Sequence, residues 1–368
     1  MRIGMKVSPL TVLKAGIPNY ILNLIEALGT EDRENRYFLY TNRPLPMELR
    51  LPDRFRVVRV SFPSPGLQLW YQAGLPVRMR KDRLDLFHDP VYPLPLFLPV
   101  PGVITVHDLS GYTDPGVHSL RSSLAARLYP RHLRKAKRII ADSLYTASEI
   151  GRLFPDVAEK TDVVHLGVSE RFRKVSDTDA LSRVAVKYGL PSGFMLFLGT
   201  LEPRKNLSRL LSAFAAAAGD IPQSLVIAGG LGWKYGELLR AVSVHPFRDR
   251  IKLTGFVEDE DLPAVLSLAE FLVYPSLLEG FGLPVLEAMA CGTPVMTSNT
   301  SSMPEVAGDA ALLVDPFSLE SMTSGLLAMA TDGDLRRELA GRGTGRASLF
   351  TWERTARETL SVYTKAVD

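Results

Sequence analysis

The chain has 368 residues, 46% of them hydrophobic and 23% charged, with a formal net charge of +3. That length exceeds what one hydrophobic core usually supports, so two domains are expected of an ordinary globular protein. A lone cysteine, Cys291, excludes an internal disulfide, and six histidines without HxxxH or Cys/His spacing imply no protein-held metal.

Short apolar, β-branched runs recur along the chain between helical patterns. The first half holds RIGMKV (2–7), YFLYT (37–41), FRVVRV (55–60), LDLFH (84–88), GVITVHD (102–108), RIIADS (138–143) and DVVHLGV (162–168). The second holds FMLFLGT (194–200), SLVIAGG (224–230), RIKLTGF (250–256), EFLVYPS (270–276), PVMTSN (294–299) and AALLVDP (310–316). Amphipathic stretches at 17–28, 206–218 and 319–330 separate some of them. Runs apolar on both faces and separated by helices predict parallel sheets covered on both sides. The fold class is therefore α/β, with two doubly wound domains in tandem. The polar stretch 169–192 has linker composition, which sets the domains at 1–180 and 181–350; a last helical segment, 351–368, is expected to cross back to the first. The N-terminus carries no cleavage-type signal and no apolar run approaches eighteen residues, so a cytoplasmic protein is expected.

Charge is uneven. Residues 1–185 carry 27 Lys/Arg against 19 Asp/Glu, and the remainder 16 against 21. The basic excess includes RMRKDR (78–83) and RHLRKAKR (131–138), read as a solvated face or as an attraction to anionic lipid or a lipid-diphosphate acceptor. Nucleic acid fits less well, because no aromatic residues interleave with the charges.

Ligands of doubly wound sheets bind outside the carboxyl ends of strands, where helix-start amides receive anions. The stretch PSLLEGFGLPVLEAMACGTPV (275–295) lies at such an edge. Its strand ends near Ser276, Pro284 suits a first helical turn, and the amides of Gly280, Phe281, Gly282 and Leu283 would surround the helix start. Glu279 would stand just before the helix and Glu287 one turn inside it. Carboxylates accept hydrogen bonds from paired hydroxyls, which suits a sugar and a ribose.

Residues 275–308 resemble the donor-binding signature of the retaining GT-B glycosyltransferases of family four, whose hallmark is two glutamates separated by seven residues. FLGTLEPRKNLSRLLSAF (197–214), LTGFVEDEDLPAVL (253–266), KAGIPNYILNLIEAL (14–28) and VHDLSGYTDP (106–115) join the match in family order. By motif the chain is similar to the mannosyltransferase B-like members that use GDP-mannose. The resemblance implies a Rossmann-like domain for the acceptor, a second for the nucleotide sugar, a cleft between them, and a hexosyltransferase of polysaccharide biosynthesis.

The resemblance assigns Glu279 to hydroxyls of the donor sugar and Glu287 to the ribose diol. It assigns Arg204 and Lys205 to the diphosphate. Glu202, outside that assignment, reads as orienting Arg204 or facing solvent. Val257 joins the donor-binding set. Many relatives have an arginine where this chain has Thr200, and a second glycine where Gly16-Ile17-Pro18 keeps one. His107 would contact the transferred sugar, contributing position and charge rather than proton abstraction; with Glu279 it forms the catalytic pair. The leaving phosphate can itself take the acceptor proton, so no strong protein base is needed.

Other readings stay open. Asp177-Thr178-Asp179 and Asp332-Gly333-Asp334 fit the Asp-x-Asp pattern of metal-dependent transferases, but both lie in polar connections rather than after apolar strands, and no metal or other cofactor is expected. His88, beside an Asp-Pro turn, reads as structural. A UDP-sugar donor, a nucleotide-sugar hydrolase or epimerase, and a non-catalytic sensor are the alternative functions. A dehydrogenase is disfavoured, since no GxGxxG opens a helix after the first strand.

Overall fold

Each of the apolar runs forms a strand in the computed structural model, which describes residues 1–11, 16–45, 51–60, 70–91, 93–113, 128–232 and 235–368. The first seven are β1 (Arg2–Lys6), β2 (Arg36–Thr41), β3 (Phe55–Arg59), β4 (Leu86–Asp89), β5 (Gly102–Val106), β6 (Arg138–Ala141) and β7 (Thr161–Val163). The next six are β8 (Phe194–Leu198), β9 (Ser224–Ala228), β10 (Ile251–Gly255), β11 (Phe271–Tyr274), β12 (Val295–Ser298) and β13 (Leu312–Val314).

Among the described residues the strands make two all-parallel sheets, ordered β3-β2-β1-β4-β5-β6-β7 and β10-β9-β8-β11-β12-β13. Central strands such as β5, β8 and β11 are buried along their whole length, as the continuous apolar runs require, whereas edge strand β3 is largely exposed. In each sheet the strand order reverses beside its first strand, between β1 and β4 and between β8 and β11, and this is where doubly wound folds hold ligands.

The chain divides into two compact units, Met1–Gly167 with Thr351–Asp368, and Val168–Phe350. The division at 180/181 drawn from composition therefore differs from the structural one. The polar stretch 169–192 is not an open linker: it contains the helix Thr178–Tyr188, which packs on the helix Leu262–Leu268. Val168 N donates to Phe350 O at 2.9 Å and Val175 N to Ser267 Oγ at 3.0 Å, tying the stretch to the second unit.

The last helix, Trp352–Val367, belongs to the first unit. It packs along the helix Gly16–Glu31 and reaches β4, β5 and β6. Its Tyr363 is fully buried, with the hydroxyl 2.7 Å from His88 Nδ1. No described helix is long and apolar enough to cross a membrane.

Both Asp-x-Asp pairs have local roles. Asp177 caps the helix Thr178–Tyr188, accepting from Asp179 N and Ala180 N, and Asp332 caps Gly333–Ala347, accepting from Leu335 N at 2.9 Å. Much of the basic run 131–138 is likewise engaged. Arg134 pairs with Asp156 at 2.6 Å, Arg138 pairs with Asp162, and Lys135 Nζ donates to Pro95 O at 2.6 Å.

Candidate active site

In the second unit the site is built on the loops that follow β8 and β11. After β8 the chain turns at Gly199, makes a short turn over Pro203–Lys205, and passes Asn206 in a left-handed conformation before entering the helix Leu207–Ala217. Asn206 Nδ2 donates to Pro275 O at 3.2 Å and Pro316 O at 2.8 Å, and Leu277 N donates to Arg204 O at 2.8 Å. The two loops are thus stitched together, and their side chains have fixed positions.

These loops bring four charged residues and a tyrosine together. Glu279 Oε2 accepts from Arg204 Nη1 at 2.8 Å, and Oε1 accepts from Lys205 Nζ and from the Tyr274 hydroxyl at 3.1 Å. Lys205 Nζ also donates to the Tyr274 hydroxyl at 2.5 Å and lies 4.9 Å from the centre of that ring. On the other side, Arg204 pairs with Glu202. Burial alone would raise the Glu279 carboxyl, but the charges of Lys205 and Arg204 overcome it and hold the pKa at about 2. Burial lowers the Lys205 pKa, opposed by Glu279, and raises that of Glu202, opposed by Arg204. Arg204 and Lys205, assigned to a diphosphate by resemblance, are in this structure ion-paired with Glu279; formal charge within Glu202, Arg204, Lys205 and Glu279 balances.

The glycine loop behaves differently at each position. Gly282 has φ +109° and directly precedes the helix Leu283–Ala290, which has no side-chain cap and carries Pro284 in its first turn. Phe281 points inward, buried and edge-on to Phe350 at 5.8 Å, so only its main chain faces the loop. Ser302 Oγ secures the turn, donating to Glu279 O at 3.0 Å and Phe281 O at 2.9 Å.

Glu287 stands apart from this cluster. It is half-buried, and burial pushes its carboxyl up to about 7, with Arg171 acting against and Asp259 reinforcing the rise. Arg171 and Asp259 approach each other at 3.5 Å. Val257 is buried in the connection after β10, while Thr200 is exposed. Gly199 and Gly229, at the ends of neighbouring strands β8 and β9, touch: a Cβ on Gly229 would lie 2.0 Å from Gly199 O.

His107 and Gly16 belong to the first unit. Gly16 is exposed at the start of the helix Gly16–Glu31; residues 14 and 15 of the matching segment, and 114 and 115 of VHDLSGYTDP, lie outside the described residues. His107 follows β5. Its Nδ1 lies 2.6 Å from Asp142 Oδ2 at the end of β6, its Nε2 lies 2.9 Å from Pro90 O after β4, and the Tyr20 ring meets it edge-on at 4.9 Å. His88 is buried between Tyr363 and Thr105, and burial lowers its pKa to about 3, so it is neutral and structural.

Sequence reasoning passed over Tyr274, Asp142 and a second lysine–carboxylate–tyrosine group. Lys6 Nζ donates to Asp89 at 2.6 Å and lies 4.8 Å from the centre of the Tyr71 ring, whose hydroxyl also donates to Asp89. That group ends β1 and β4, where the first sheet reverses order, as Lys205, Glu279 and Tyr274 do after β8 and β11. The available signal was position: Lys6, Asp89 and Tyr274 end strands and Asp142 follows one directly, whereas Tyr71, on the helical turn Trp70–Gly74, carried no such signal.

Residues 15–172 match the family described as Glycosyltransferase Family 4, and residues 186–346 match Glycosyl transferases group 1. The chain is 36% identical over 282 residues to the O-antigen chain mannosyltransferase B of Escherichia coli, covering 76% of this chain and 74% of that one. The protein is a GT-B glycosyltransferase of group 1 and family 4. This glycosyltransferase is also 32% identical over 237 residues to the serotype-specific mannosyltransferase WbdA of Escherichia coli, covering 61% of its own length and 29% of that protein's. Its fold is similar to the sucrose-phosphate synthase of Thermosynechococcus elongatus, with TM-score 0.78 at 22% identity, covering 99% and 98% of the two chains. It is an enzyme that transfers a sugar.

Proposed function

We propose that this glycosyltransferase moves mannose from GDP-mannose to a glycan or lipid-linked saccharide, with retention of configuration and without a bound metal. The observation that carries the reading is the Glu279–Lys205–Arg204 group at the order reversal of the second sheet, beside the uncapped helix Leu283–Ala290. An incoming diphosphate competes with Glu279 for the two cations, and the helix start shares its charge; a dipole of this kind favours an anion by about 0.3 to 2 kcal/mol. Glu279, ionised at neutral pH, then accepts hydrogen bonds from sugar hydroxyls. Glu287, a carboxyl whose pKa is near 7, suits the ribose diol, since it donates when protonated and accepts when ionised. Two relatives named as mannosyltransferases support mannose as the sugar.

The proposal extends to peripheral attachment at the cytoplasmic membrane face. Leu96 and Phe97 are 51% and 78% exposed, and Lys135 holds the carbonyls of Pro95 and Leu96 from the helix Tyr129–Lys135, which also presents exposed Arg131. An apolar tip beside cations fits an anionic bilayer, with about 1 kcal/mol per near-surface cation.

A thermal-shift panel of GDP- and UDP-sugars tests the donor. Ligand at a hundredfold excess over Kd stabilises by about 2.7 kcal/mol, so GDP-mannose should raise Tm; a shift with UDP-sugars alone overturns the donor assignment. The anomer formed, read by NMR, tests retention, and turnover in chelator tests metal independence. Sugar release without acceptor would favour hydrolysis.

A further inference from the structure

Both ring nitrogens of His107 face oxygen atoms: Nδ1 the Asp142 carboxylate at 2.6 Å, and Nε2 the carbonyl of Pro90 at 2.9 Å. A carbonyl cannot donate, so Nε2 must carry a hydrogen. An ionised carboxylate cannot donate either, so Nδ1 must carry one as well. The ring then has no lone pair to offer. Asp142 is 2% exposed in its side chain and His107 20%, so the pair lies largely out of water, where a short charge-assisted bond holds best. The geometry spans three neighbouring strands: Asp142 follows β6, His107 follows β5 and Pro90 follows β4.

We propose that Asp142 is a positioning residue that keeps His107 doubly protonated, so that His107 enters sugar transfer as a fixed cation and not as a base. The inference rests on the reading that His107 serves the transfer, and it adds the residue and protonation state through which it does so. Among the described residues, four titratable groups face His107. Asp142 presents from the end of β6, Asp108 is its own neighbour, neutral His88 lies on β4, and Tyr20 presents from the helix Gly16–Glu31. Burial acts to lower the His107 pKa, but Asp142, the Pro90 carbonyl and Asp108 outweigh it and raise the value above the ordinary 6.5. The neighbouring cation contributes in turn to holding His88 neutral. A standing positive charge on the ring is suited to a step in which negative charge grows on a leaving diphosphate, and it leaves the acceptor proton to the phosphate oxygen.

The test is 15N NMR of the full-length protein labelled at histidine, with steady-state kinetics on the same variants. In the wild type, both His107 ring nitrogens should be protonated at neutral pH. Asp142→Asn, which keeps shape and loses charge, should lower the His107 midpoint by about one pH unit, tenfold in proton affinity, and Asp142→Glu should restore it. Asp142→Asn should also lower kcat about 10²-fold with donor KM little changed, and move the alkaline limb of the kcat profile down in pH. A wild-type ring that is neutral at neutral pH overturns the inference, whatever the activity and whether or not the variants fold. A doubly protonated ring together with full turnover in His107→Gln overturns instead the assignment of His107 to the reaction.

Discussion

Lys205 Nζ and the Glu279 carboxylate meet at 2.5 Å with each side chain 7% exposed, so the second unit buries a full ion pair where the order of its sheet reverses. Such a pair is costly to break from one side, because the remaining charge keeps its desolvation penalty. Glu279→Ala is expected to destabilise by about 3 to 5 kcal/mol, whereas the double change Lys205→Met with Glu279→Leu costs less than the sum of the two single changes. Urea unfolding of the singles and the double closes the cycle. Glu279→Gln, which retains shape, is expected to lower kcat by about 10² to 10³.

The two glutamates titrate in opposite senses. Glu279 is depressed to about 2 from 4.5, so the stability it contributes is fully present above 4.5 and is lost as pH falls toward 2. Glu287 is raised to about 7 from 4.5, so its contribution is fully present below 4.5 and is lost as pH rises through 7. Replacing Glu287 by Gln should therefore flatten Tm against pH between about 4.5 and 7, without altering the acid limb set by Glu279. Calorimetry across that range checks both signs.

Gly229 has φ +146°, and a Cβ there would lie 2.0 Å from the backbone oxygen of Gly199. Neither the conformation nor the neighbour yields readily, because the contact is with main chain. Gly229→Ala is expected to cost about 1 to 3 kcal/mol or more, while Gly219→Ala, where no atom lies within 4 Å, should be close to neutral. Chemical denaturation of the two side by side provides the comparison.

Tyr363 reaches from the last helix to His88, and losing its hydroxyl would strip a buried ring nitrogen of its partner. Tyr363→Phe should cost about 1 to 3 kcal/mol, read as a lower urea midpoint of the first unit.

If the Leu96–Phe97 tip docks on lipid, Leu96→Ser with Phe97→Ser should reduce binding to vesicles containing phosphatidylglycerol by about tenfold or more, with turnover on a water-soluble acceptor unchanged. Equal binding by wild type and variant, or no binding by either, removes the attachment from the proposal. Added salt should weaken the wild-type interaction, because part of it is screened charge.

The central strands were legible because parallel strands covered on both faces need apolar residues at successive positions, and runs such as FMLFL and EFLVY leave no other pattern. Glu279 and Lys205 stood out in the sequence through the motif around them, but their mutual pairing did not. Local spacing says nothing about two loops, after β8 and β11, brought together by strand order. Asp142 escaped notice for the same reason, since it meets His107 only because β5 and β6 are neighbours. The stretch 169–192 misled because a solvated helix such as Thr178–Tyr188, with Val184 its one buried residue, has the composition of a linker.

Because Trp352–Val367 lies against the helix Gly16–Glu31 and fills the space beside His88, the first unit is assembled from both ends of the chain. Residues 1–167 are made first yet lack a covering layer until residues 352–367 have been made, so the unit whose synthesis starts first is completed last. Nascent chains stalled before residue 351 should expose the Tyr20 and His88 side of that sheet to chaperones, and release of the final helix would close it.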